Sequence, residues 1–146
     1  MIDVLVTIEV VKMLAKDLHY KASGDTFYAL HLLADKVDFG SSVDDLKEAY
    51  YLGLREENPP SECQINSLAV SRCPSATALD NRSLVMALYD ACKTSIYTIE
   101  EAKRDDMLVA GVHAILDGVS QHLLVIKGLC VKTLYRIKDD NGTTEA

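Results

Sequence analysis

The sequence predicts an all-α fold, a bundle of four long helices with one long crossover between the second and the third. Three observations carry this. Apolar residues recur at three- and four-residue steps over long stretches. The three prolines, at 59, 60 and 74, all fall in one connection. Two Phe and no Trp leave an aliphatic core. With 146 residues, 49% apolar and 25% charged, the chain has material for one core, so residues 1–146 read as one domain.

In the first helix, over about 2–22, Val4, Leu5, Val6, Ile8, Val11, Met13, Leu14 and Leu18 form the apolar series. Gly24 stops it and Asp25 caps the next. The second helix starts near 26 and buries Leu30, Leu33, Ala34 and Val37. Its phase breaks near 40: continuing the period would bury Ser41, Asp44 and Glu48, whereas the apolar series restarts at Phe39, Val43, Leu46 and Tyr50. A kink at Gly40-Ser41-Ser42 is therefore expected, with Ser42-x-x-Asp45 as a capping box, and helix again to about 56. Asn58-Pro59-Pro60 ends it.

Residues 61–76 connect, with a short helix around Cys63–Ala69 closed by Cys73-Pro74. The third helix is expected over about 77–103 and the fourth over about 106–137, with Asp105 as N-cap. The fourth carries the cleanest stripe: Leu108, Val112, Ile115, Val119, Leu123, Ile126, Cys130 and Leu134. Residues 139–146 read as a polar, frayed C-terminal tail.

A net charge of −7 disfavours binding to phosphate backbones. The basic residues Lys127, Lys132, Arg136 and Lys138 are followed at once by Asp139 and Asp140, and read as complements to a helix C-terminus. Four cysteines without C-x-x-C read as reduced, mostly buried thiols rather than a zinc site. His113, Asp117, Gln121, His122 and Lys127 interrupt the longest apolar stretch, so no membrane span and a soluble, cytoplasmic protein are expected.

His19 and His31 flank the Gly24 turn at about 7 Å and about 10 Å from it, similar heights on adjacent helices. Asp35 shares a helix face with His31. Two imidazoles and a carboxylate suit ferrous iron, zinc or manganese. Asp44 and Glu48 form a further i, i+4 carboxylate pair. Such pairs are also common on solvated faces, and His113 with Asp117 and His122 read as ordinary bundle or interface residues. No Glu-x-x-His occurs, so the di-iron site built inside one bundle is absent.

The run from His19 to Asp35 resembles the Dps mini-ferritins. His19, Gly24, Phe27, His31 and Asp35 fall at that family's spacing, with Tyr20 where Trp is usual. Asp44-x-x-x-Glu48 is similar to the family's next motif, with Lys47 in place of Ala, and Ser120-Gln121-His122 sits where its last helix has a Glu-Lys-His-like centre. The resemblance implies a ferritin-like bundle with a short helix in the crossover, and a homo-oligomer, a dodecamer built from twofold dimers. It implies a di-iron site at a subunit interface, where His19, His31 and Asp35 of one subunit face Asp44 and Glu48 of its neighbour. Fe(II) would be oxidised there, preferably by hydrogen peroxide, and stored as Fe(III) in the shell, as protection against oxidative stress.

Two departures stand out. Asp44 follows Asp35 by nine residues, about 900° of ideal helix, where the family's eleven give about 1100° and the same face. A kink near 40 restores the phase; otherwise Asp38 and Asp45 replace Asp44 and Glu48. The basic extension with which many Dps proteins bind DNA is also missing, so DNA binding is not expected. A shell protein of the same fold without ferroxidase activity is the alternative.

Overall fold

A computed structural model describes residues 2–22, 48, 61–73, 80–104 and 110–145, with side chains described over 3–16, 48, 61–73, 80–104 and 111–135. Among the described residues every element is helical: α1 (Ile2–Ala22), α2 (Glu62–Arg72), α3 (Asn81–Lys103) and α4 (Ala110–Glu145). The all-α bundle expectation holds at this level. The second long helix, its kink, the Ser42–Asp45 capping box and the Asp105 cap lie outside the described residues.

α1 is buried on every side near its start, with five consecutive buried residues from Val4 to Ile8, all apolar but Thr7. A helix of that kind belongs inside a bundle. It packs against α2 and α3. Val11 and Leu14 continue the buried series, while Met13 is half-buried.

α2 begins where the side chain of Ser61 accepts from Gln64 N–H (3.2 Å) and Gln64 Oε1 accepts from Ser61 N–H (2.8 Å). This reciprocal pair satisfies two donors that a helix start otherwise leaves open. The helix ends at Cys73, whose N–H donates to Ala69 O at 2.9 Å and whose backbone is extended, as the following Pro74 requires. Ile65 and Ala69 are its buried residues, and Arg72 reaches Asp3 of α1 at 3.6 Å.

α3 starts four residues later than predicted, because Asp80 is the N-cap and accepts from Ser83 N–H at 2.7 Å. Leu84, Leu88, Cys92, Ser95 and Ile99 form its buried stripe, with Val85 beside it. α3 packs against both α1 and α4 and so joins the two halves of the core.

On α4 the predicted stripe is largely borne out. Val112, Val119, Leu123, Ile126 and Cys130 are buried, Ile115 and Leu134 are half-buried, and Leu116, absent from the predicted stripe, is buried too. Leu108 lies outside the described residues. Lys103 bridges to Asp117, and Lys127 lies 5.6 Å from the centre of the Tyr89 ring. Numbers fall along α3 as they rise along α4, so the pair is antiparallel.

Two features of α4, its length and its composition, differ from the sequence reading. Its backbone stays helical through Glu145, past the residues expected to fray; no proline interrupts them. Its segment Gly111–Tyr135, 25 residues with mean hydropathy 1.4, is long and apolar enough to cross a membrane by length and composition. The Val, Leu and Ile residues between the interruptions outweigh them in the mean. The core helix of a globular protein passes the same test, and this one packs a buried stripe on α3.

Candidate functional site

Of the predicted ligands, His19 belongs to the last turn and a half of α1, which ends at Ala22 just ahead of Ser23-Gly24. Its side chain is outside the described residues, as are His31, Asp35, Asp44 and the substitutes Asp38 and Asp45. Glu48 is helical and exposed. Among the described residues no three His, Cys, Asp or Glu side chains converge on one point. The proposed ligand set is therefore neither assembled nor dispersed by what the structure describes.

The described residues contain three other chemically distinct places. The first is the α3–α4 end near the connection, where Lys103 takes both Asp117 and, at 3.6 Å, Glu100. The hydrogen bond that Lys103 donates to Asp117 raises its pKa, and the charges of Asp117 and Glu100 add to it. Asp117 thus serves as a bundle ion pair, in line with its sequence reading, while His113 and His122 are half-buried on the same helix.

The second is a pair of core thiols. Cys92 of α3 and Cys130 of α4 are both fully buried and close enough to influence one another. Burial pushes the Cys92 thiol up to about 12, with the Lys127 charge pulling the other way. Cys130 is raised by burial and then by its neighbour Cys92. Both stay protonated near neutral pH, which removes the thiolate that nucleophilic or metal-binding cysteines need. All four cysteines are free; Cys63 is exposed and Cys73 half-buried, so the expectation of buried thiols holds for the other two.

The third is a groove of about 320 Å³ between α1, the end of α2 and α3. Val10, Leu14, Ala87 and Ala91 give it an apolar floor, and Arg72 and Asp90 are its charged lining residues. Nothing in this lining pairs a nucleophile with a base.

Comparison with protein-family models, with characterised proteins and with solved structures finds no match. The functional reading accordingly rests on the chain's own residues.

Proposed function

We propose that the protein is a mini-ferritin-like iron oxidase and store: it oxidises Fe(II), preferably with hydrogen peroxide, and retains Fe(III) inside a homo-oligomeric shell in the cytoplasm. The observation that carries this reading is the spaced set His19, Gly24, Phe27, His31, Asp35 with Asp44 and Glu48. Supporting it, His19 lies on a described helix, α1, which reaches Ala22. A short helix, α2, also stands in the crossover.

In this reading His19, His31 and Asp35 supply nitrogen and oxygen donors for Fe(II), and the carboxylates of a neighbouring subunit hold the harder ferric product. Each peroxide takes one electron from each of two Fe(II) ions and, with two protons, leaves as two waters. Zinc or manganese fits the same donors and competes for them. A second reading, a ferritin-like shell protein that has lost iron oxidation, is favoured by two observations: the nine-residue step from Asp35 to Asp44, and Lys47 between the last two carboxylates.

Anaerobic Fe(II) titration followed by stoichiometric hydrogen peroxide separates them. Fast oxidation with soluble iron retained, lost in the His31→Ala/Asp35→Ala variant, is expected. Oxidation no faster than in buffer, from an assembled particle, sinks the first reading and leaves the second.

A further inference from the structure

The groove between α1, the end of α2 and α3 follows from the residues on both long helices. On α1 its wall is Thr7, Val10 and Leu14, at i, i+3 and i+7. On α3 it is Ala87, Asp90, Ala91 and Thr94, at i, i+3, i+4 and i+7. Each set lies on one helix face and runs over two turns, about 10 Å. Elsewhere α3 meets the core with Leu84 and Leu88, but here two alanines a turn apart stand where longer side chains would close the gap. The space left, about 320 Å³, has the size of a small-molecule site.

Its two charged residues do not pair with each other. Arg72 enters from the end of α2 and Asp90 from α3. Arg72 Nη1 stands 3.6 Å from Asp3, beyond hydrogen-bond reach, so its planar set of N–H donors stays open to a carboxylate. Thr7 already donates its hydroxyl to Val4 O at 3.0 Å. The choice of ligand therefore falls to Arg72 and Asp90, with the exposed Thr94 beside them. We propose that this groove binds an apolar zwitterion of dipeptide size, its carboxylate on Arg72, its ammonium on Asp90 and its side chains on the floor of Val10, Leu14, Ala87 and Ala91. Charge complementarity carries the assignment: one cation and one anion line a single apolar groove without touching. An extended dipeptide spans about 7 Å between its ends, which fits the groove and bridges two separated charges. A fatty acid would satisfy Arg72 but bring a second negative charge to Asp90. Both charges are exposed to water and screened, so the expected dissociation constant is about 0.1–1 mM. This inference does not use the iron reading.

The test is titration of the full chain with leucyl-leucine, followed by amide chemical shifts in nuclear magnetic resonance. Saturable shifts are expected along Ala87–Thr94 of α3. Arg72→Gln and Asp90→Asn, both on exposed side chains, should each weaken binding at least about threefold. Capped ligands assign the charges. Leucyl-leucinamide, which lacks the carboxylate, should bind the parent and Arg72→Gln equally, and N-acetyl-leucyl-leucine, which lacks the ammonium, should bind the parent and Asp90→Asn equally. No saturable shift at about 10 mM leucyl-leucine would overturn the proposal. So would glycyl-glycine or octanoate binding as tightly, or a substitution that weakens the capped ligand lacking its partner charge as much as it weakens the zwitterion.

Discussion

Single buried polar atoms give the sharpest expectations. Ser95 is fully buried in the α3 stripe, and its hydroxyl has no hydrogen-bond partner among the described residues. A buried unsatisfied hydroxyl costs about 1–3 kcal/mol, so Ser95→Ala should leave stability unchanged or raise it by ~1 kcal/mol in urea unfolding. The neighbouring thiols predict a pH effect. Cys92 ionises near 9.0 in the unfolded chain but is held up to about 12 in the fold. The folded state therefore keeps a proton that the unfolded state loses. Stability is complete below pH 9 and falls as pH rises toward 12, by up to about 1.4 kcal/mol per pH unit for each such thiol. Alkaline unfolding midpoints should show that slope in the parent and a shallower one in Cys92→Ala. With a thiol reagent at neutral pH, Cys63 should react at once, and Cys92 and Cys130 only on unfolding.

Helix ends and stripes set the scale above. Ser61→Ala removes one half of the reciprocal cap on α2 and should cost about 1 kcal/mol, measured by denaturant unfolding. Leu88→Ala, in the α3 stripe where the core halves meet, should cost about 2–5 kcal/mol. The periodicity of α4 was legible in the sequence because Val112 through Cys130 bury one face at regular steps, and Cys73-Pro74 announced a stop that the backbone obeys. Two things were less legible. The Ser61-x-x-Gln64 box looks no stronger in the sequence than Ser42-x-x-Asp45, since a cap signal says only that a start is possible. The α3 start is predicted too early because Ala78 and Leu79 extend the apolar stretch backwards, while Asp80 offers the backbone a better terminus. Leu116 was passed over because a stripe of strict four- and three-residue steps through Ile115 leaves it aside, although a core-facing helix buries a wider band. For the candidate site, the sequence supplied residue types and spacing. Convergence of His31, Asp35 and Asp44 depends on the phase of the helix after Gly40, which periodicity cannot fix once a kink intervenes.

At the scale of the molecule, two regions divide the work. The proposed iron chemistry lies in the 19–48 region and the described core in α1, α2, α3 and α4, so loss of the one should leave the other in place. His31→Ala/Asp35→Ala is expected to abolish peroxide-driven Fe(II) oxidation and leave the sedimentation profile unchanged. One iron-oxidation assay and one sedimentation run on that variant check both statements.

The order of packing also governs how the chain emerges from the ribosome. α1 leaves ahead of its described partners, carrying the band from Val4 to Leu14, and of these partners, α2 and α3, the latter lies about eighty residues downstream. At about 5–20 residues per second, α1 waits roughly 4–16 s for α3. α3 and α4, by contrast, are neighbours in the chain and close their antiparallel pair as soon as both are made. The buried band of α1 is thus left exposed over that interval, which makes residues 4–14 a segment a ribosome-bound chaperone should hold during synthesis.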